Sequence, residues 1–378
     1  MKKSASIAAI LAASTSMASA AGLDRSGRSV NFIFEDGNKL EFSAGYANPS
    51  VDGNDVAGLN PAQSGSGSIL DSFAVWGAAV RYQFNEKFSF GLIIDEPFGV
   101  DVDYGPSSPL LAGTGATVDS SAATAFGRYQ FNENWSVHGG VVYQNLSASS
   151  VPLSGLGFGA LNGYNASFAN DSAFGYVLGA AYEIPEIALR VALTYHSEID
   201  HALDTTETLA AAGALSPFNS RTDVTTPEQI RLDFQSGVAE DTLVFGSIRF
   251  SHYSVTQVSP TLLTTLTGNP ATSLTDLENA LDVELGVGRR FNDKWAGRAS
   301  VGWSESGEDS LISPLSGTNG SVYVSVGASY QVSEAVNISG GVRYTQFRDA
   351  IANVGGVPIA NFTNNDAISA GVRLQIGF

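Results

Sequence analysis

Four histidines, no cysteine and nineteen lysines and arginines set the chemistry open to this 378-residue chain. Without cysteine there is no thiolate nucleophile, no disulfide and no sulfur metal ligand. Nucleophilic catalysis needs Ser, His and an acid converging. No motif sets a Ser beside His138, His196, His201 or His252. Strand alternation turns His138 and His196 inward, and they are expected near opposite ends of the fold. His201 and His252 are expected near loops. A hydrolase is therefore the weaker reading, and no catalytic residue, metal ligand or cofactor is assigned. The arginines are more informative. Arg81, Arg128, Arg190, Arg231, Arg249, Arg298, Arg343 and Arg373 each alternate with apolar residues, so they share the polar face of their segments. A guanidinium can hold a carboxylate through two parallel hydrogen bonds. Arg81, Arg128, Arg190 and Arg343 are taken as carboxylate-binding candidates. Ion pairing with Asp95, Asp233, Asp282 and Glu284 on the same face is the alternative.

A second feature suits an apolar ligand. The connection from about 148 to 170 carries Leu153, Leu156, Phe158, Leu161 and Phe168, with several glycines. Loops are normally polar, and an apolar patch of this extent points to a binding groove or to packing on a neighbouring loop. Leu262, Leu263, Leu266, Leu274 and Leu277 form a later apolar group, read as a short amphipathic helix joining the same patch.

The elements that position these residues are strands. Ile368, Ala370, Val372, Leu374, Ile376 and Phe378 alternate strictly with Ser369, Gly371, Arg373, Gln375 and Gly377, the period-two signature of a strand with one apolar face. The same alternation recurs along the chain, for example Trp76 to Phe84, Phe88 to Ile94 and Leu189 to His196. Arg81–Phe88, Arg128–Trp135 and Arg290–Trp295 are copies of one hairpin pattern, with an aromatic on each side of a tight turn. Such aromatics suit the interfacial girdle of a membrane barrel. The count predicts 14 antiparallel strands, with short turns alternating with long loops. Pro97 cannot donate to a ladder, and with Gly99 beside it the third strand is expected to bend or bulge.

Net charge is -18, or -20 once Lys2 and Lys3 are removed with a leader. That balance argues against nucleic acid, which needs clustered cations. Residues 1–20 read as a secretory signal: Lys2 and Lys3, an apolar run from Ile7 to Ala13, then Ala18-Ser19-Ala20. Residues 21–38 read as a short N-terminal segment plugging the lumen, and 39–378 as a transmembrane β-barrel. Only a closed barrel crosses a membrane without helices, because every backbone polar group must be paired.

Phe42-Ser43-Ala44-Gly45-Tyr46 through Asn48-Pro49, Phe90-Gly91-Leu92 to Glu96-Pro97-Phe98-Gly99, and Thr226-Pro227-Glu228-Gln229-Ile230-Arg231-Leu232 resemble the first, third and eighth strands of the FadL/TodX (OmpP1) family. These are outer-membrane transporters of long-chain fatty acids and other hydrophobic compounds. The resemblance implies a Gram-negative outer-membrane location, capture at the apolar outer loop, and lateral release through an opening at Pro97, Phe98 and Gly99. It also resembles barrel proteins that meet the assembly machinery through a terminal aromatic, here Phe378. Outer-membrane lipid, a hydrophobic small molecule and a monomeric state are the implied partners. The family's longer plug carries an Asn-Pro-Ala motif that is missing from 21–38; Asn60-Pro61-Ala62 falls in an outer loop instead. Long-chain fatty acids are the expected substrate, with aromatic hydrocarbons or a passive aqueous porin as alternatives. A soluble β-sandwich is the remaining rival.

Overall fold

A computed structural model describes residues 23–305, 307 and 310–378. The expected leader lies outside them. Fourteen strands form the barrel: β1 Lys39–Ser50, β2 Phe73–Gln83, β3 Phe88–Asp95, β4 Gly115–Gln130, β5 Trp135–Ala148, β6 Asp171–Ile184 and β7 Leu189–His196, then β8 Gln229–Ala239, β9 Thr242–Ser251, β10 Ala280–Arg290, β11 Trp295–Ser304, β12 Ser321–Gln331, β13 Val336–Phe347 and β14 Asp366–Gly377. Each pairs antiparallel with its neighbours, and β1 pairs with β14 to close the cylinder. Closure leaves no long free edge, which a bilayer would penalise.

The outward face is apolar and exposed. Phe42, Trp76, Val141, Leu178, Leu193, Leu285, Val301, Val324, Val342 and Val372 all face away from the lumen. At the short turns the aromatics cluster: Tyr82 meets Phe84 at 4.8 Å, Tyr129 meets Phe131 at 5.2 Å, and Trp295 meets Tyr330 at 4.7 Å between ring centroids. These rings mark the expected girdle at one membrane interface.

The long connections are not open loops. Val151–Leu153, Tyr164–Phe168, Ile199–Thr208 and Phe218–Thr226 form a four-stranded sheet. Asp52–Asp55, Gly65–Ser68, Leu311–Ile312, Ala350–Val354 and Val357–Phe362 form another of five. A short helix, Thr261–Thr267, packs Leu262 and Leu263 beneath them. Together these elements build the largest apolar core of the molecule, around Tyr104, Leu111, Tyr164, Leu203, Ile359 and Phe362. Most of these strands are too short for alternation to show, and in the longer Ile199–Thr208 the buried His201 and Glu207 interrupt the apolar face.

Residues 23–38 run inside the barrel. Val30, Ile33 and Phe34 pack on Phe126, Val177, Ala181 and Ala192 of the inner wall. Fully burying side chains such as Ile33 and Phe34 contributes about 1.5–3 kcal/mol each, enough to seat a segment with so few backbone bonds to the wall.

Candidate functional site

The barrel wall is interrupted at Pro97. β2 pairs with β3 only as far as Ala78 opposite Ile94. Higher up, contact resumes where Leu70 bridges to Val102, with the Asp103 amide donating to the Ile69 carbonyl at 2.9 Å. Between these points β2 and β3 form no ladder, although the Trp76 amide donates to the Glu96 carboxylate at 3.1 Å. On the other side of β3, Asp95 faces Ala122 and Gly99 faces Asp119. Four steps along one strand therefore answer three along its partner, which is a bulge of one residue. Ser120 repairs the damage: the Phe98 amide donates to its Oγ at 2.8 Å, and its own amide donates to the Phe98 carbonyl at 3.0 Å.

The N-terminal segment occupies the inner edge of this interruption. The Arg25 amide donates to the Pro97 carbonyl at 2.9 Å, and the Gly99 amide donates to the Leu23 carbonyl at 2.8 Å, with Asp24 bridging Phe98. Leu23–Arg25 is thus a short extra strand along the inner edge that β2 leaves unpaired. The Arg25 guanidinium lies 4.6 Å from the Phe73 ring centre on β2 and donates to Asp119 on β4 at 3.0 Å. It spans the window from one jamb to the other.

The segment is anchored across the lumen. Asp24 is buried against Arg249, which also binds Asp282 at 2.8 Å. Arg28 donates to the Pro227 carbonyl at 3.0 Å and the Gln229 side chain at 3.1 Å, and lies 5.0 Å from the Phe98 ring centre. Ser26 donates to Asp95 at 2.6 Å. Desolvation lowers the pKa of Arg28, with Tyr253 and Asp24 opposing the shift.

Two cavities meet this segment from opposite sides. On the outer side is an apolar chamber of about 100 Å³, bounded by Leu23, Phe98, Val118, Leu146, Phe168 and Leu203 among others. Among the described residues, Asp276 is the sole ionisable one of its lining. On the inner side is a polar cavity of about 170 Å³ that reaches the window at Val75, Gly77, Ile94 and Glu96, and is walled by Arg190, Arg231, Arg249, Arg343 and Arg373 with Glu41, Asp282 and Glu284.

The sequence-derived candidates divide among these places. Phe168 lines the chamber. Leu153 and Phe158 are buried in the outer core with Leu161 packed against it, and Leu156 is 71% exposed. Pro97, Phe98 and Gly99 form the bulge. Arg81 is held by the N-terminal segment, donating to the Ile33 carbonyl at 2.9 Å and to Gly37. Arg128 bonds Glu183 and stacks 4.8 Å from the Phe34 ring centre. Arg190 stacks on the same ring at 4.7 Å. Arg343 stacks on Tyr323 at 4.0 Å and faces the polar cavity. Of the later leucines, Leu274 and Leu277 line the chamber while Leu262 and Leu263 are core.

His138 and His196 are not at opposite ends. His138 bonds Thr194 at 3.0 Å, two residues from His196. The stagger of tilted strands brings together residues that lie at different distances from their turns. The extra strand at Leu23–Arg25 was not legible: three residues of mixed polarity carry no period. The nearest signal was the bulge opposite, since an unpaired strand edge needs a partner.

A closed barrel with an apolar outer band, an apolar chamber under its outer loops and a break in its wall has the architecture of an outer-membrane channel for hydrophobic compounds. Residues 32–375 match the family described as outer membrane protein transport protein (OMPP1/FadL/TodX), and the chain belongs to that family. Among solved structures, a Pseudomonas aeruginosa FadL homologue superposes with a TM-score of 0.71 at 14% identity, covering 92% of this chain and 91% of that one. The Pseudomonas putida toluene transporter TodX gives 0.61 at 12% identity, covering 91% and 90%. The Ralstonia pickettii toluene transporter TbuX gives 0.59 at 15%, also covering 91% and 90%. At these identities the likeness concerns the fold. No curated protein matches the sequence.

Proposed function

We propose that the protein takes hydrophobic molecules from outside the cell into the apolar chamber, passes them by the Leu23–Arg25 strand and releases them sideways through the window at Pro97. The break in the β2–β3 ladder carries this reading. A barrel that only conducted solutes along its axis has no use for an unpaired stretch of wall facing lipid, where each unmet backbone group is costly. The path keeps an apolar ligand away from the aqueous periplasm. The N-terminal segment acts as the plug, and its contacts with Pro97, Phe98 and Gly99 couple plug to opening. The protein works as a monomer, because one barrel holds the whole route. Phe378, exposed on the outer face of the terminal strand, is available to the assembly machinery.

Long-chain fatty acids are the proposed substrate, since the inner cavity offers arginines for a carboxylate. Aromatic hydrocarbons are the second reading, favoured by the absence of any cation among the described residues that line the outer chamber and by the toluene transporters among the structural relatives. Uptake of radiolabelled palmitate and toluene by cells lacking their own transporter discriminates them. Chamber variants Phe168→Asp and Leu203→Asp should abolish uptake of the true substrate. Correctly inserted variants that still transport at the wild-type rate would reject the chamber as the entry site.

A further inference from the structure

Three arginines gather on the inner wall, on β11, β13 and β14, the nearest of them two strands from the window. In the barrel register, Arg298 on β11 continues across the strands as Gly327, Gly341, Gly371 and Gly45, and ends at Val75 on the window edge. Four successive glycines leave that row without side chains, so long side chains from neighbouring rows can lie flat over it. A Cβ on Gly327 would come within 3.1 Å of Arg298 Nε. The row on one side carries Arg343. The row on the other carries Ser339, then Arg373, Ser43 and Gly77, the last at the lower corner of the window. At the usual strand spacing, Arg373 stands about 10 Å from that corner.

The bonding of Arg343 and Arg373 is incomplete. Arg343 has the Tyr323 ring on one face at 4.0 Å, yet its buried Nε has no hydrogen-bond partner among the described residues. Ser339 is only 6% exposed, and its Oγ also lacks a partner among them. Arg373 approaches Glu41 at 3.2 Å, but without hydrogen-bond geometry at Nε. Buried donors are seldom left unmet, and a planar guanidinium resting on an aromatic ring is preorganised for a planar anion. Arg81 and Arg128, by contrast, are committed to the N-terminal segment or Glu183.

We propose that Arg343, with Arg373 and Ser339, is a carboxylate site for a monocarboxylic amphiphile, and that this ligand leaves the barrel tail first. The carboxylate stays on Arg343 in the polar cavity. The alkyl chain crosses Ser43 and Gly45, where no bulky side chain obstructs it, and passes Val75 and Gly77 into the bilayer. The head group follows once the tail is solvated by lipid. Glu284 lines the same cavity and opposes the anion, so it weakens retention and aids release. This inference rests on lateral release, and deepens it by naming the head group and the order of exit.

Binding of tritiated palmitic acid and methyl palmitate to the full protein in lipid nanodiscs tests it. The wild type should bind the acid at least tenfold more tightly than the ester. Arg343→Met should remove that preference while leaving the ester unchanged, and Glu284→Gln should increase it. Equal affinity for acid and ester in the wild type, or equal loss of both in Arg343→Met, would overturn the site. Exit order is read with brominated lipid: a fluorophore on the methyl end of a bound fatty acid should be quenched, and one near the carboxylate should not. The reverse pattern would overturn tail-first exit. Deleting Pro97 separates the two claims. It should abolish quenching while the acid preference persists; quenching that survives the deletion would reject the window itself.

Discussion

The Arg25 guanidinium occupies the space where a side chain on Gly99 would begin: a Cβ built there would lie 2.2 Å from Arg25 Cζ. The bulge glycine and the bar across the window are therefore one device. Gly99→Val must expel Arg25. Overpacking of this kind costs about 1–3 kcal/mol, equivalent to roughly 5- to 150-fold in the undocked population of the N-terminal segment. Protease cleavage within residues 23–38 of the folded barrel should accelerate accordingly, with heat-modifiable gel migration unchanged. Cleavage at the wild-type rate would show that Arg25 does not hold the segment.

The contacts of Arg25 are unequal. Asp119 is 64% exposed in its side chain, so the ion pair is screened and worth about 0–1 kcal/mol. The stack on Phe73 and the close seat over Gly99 carry more of the docking. Asp119→Asn should change segment cleavage little, whereas Arg25→Ala should raise it several-fold. Equal effects from the two variants would contradict this division.

Asp24 and Arg249 are nearly solvent-free, with side chains 1% and 4% exposed. Removing one partner of a buried pair leaves an uncompensated charge at a cost of about 3–5 kcal/mol. Arg249→Met should therefore release the segment while the barrel still inserts. Adding Asp24→Asn should recover much of the loss, because the stranded carboxylate is gone. A double variant as exposed to protease as Arg249→Met alone would rule out the pair as the anchor.

The outer loops should respond to acid. His201 is buried between Asp171 at 3.1 Å and Gln144 at 3.0 Å. Desolvation lowers its pKa below the ordinary 6.5, against an opposing pull from Asp171 and Asp200. A depressed pKa means the unfolded loop binds the proton more readily. The contribution to stability is thus intact above pH 6.5 and is lost as pH falls through the folded-state value. Proteolysis of the 197–228 loop should quicken at pH 5 relative to pH 7.5. His201→Asn should flatten that dependence; an unchanged pH profile in the variant would assign it elsewhere.

Glu207 ties two loops together. Its carboxylate accepts from the Leu262 and Leu263 amides at 2.8 and 2.9 Å and from the Tyr164 hydroxyl at 2.8 Å. Glu207→Leu strands these donors, at about 1–3 kcal/mol for each buried group left unmet. Hydrogen exchange of the 261–267 helix should rise steeply while the barrel amides remain protected. Protection of that helix as in the wild type would show that other contacts suffice.

The barrel was legible because period-two alternation is forced on any strand with lipid on one face and polar lumen on the other. Pro97 was legible because a residue without an N–H announces a broken ladder. Arg81 and Arg128 illustrate the limit. Alternation placed both inward, but their partners, Ile33, Gly37 and Phe34, belong to a segment whose course through the lumen has no periodic signature. Leu153 and Phe158 show another limit: an apolar loop residue looks the same whether it lines a chamber or packs in the core beside it. Phe168 and Leu153 differ in that respect only through the tertiary fold.

Lateral release stands or falls on the window. The chain lacks cysteine, so Trp76→Cys with Glu96→Cys introduces a single reversible bond across it, at positions where the Trp76 amide already meets the Glu96 carboxylate. Uptake of labelled palmitate and toluene by complemented cells should cease when this disulfide forms and return when it is reduced, with both single variants unaffected by oxidant. Uptake continuing at the reduced rate through a fully cross-linked barrel would contradict exit through the wall.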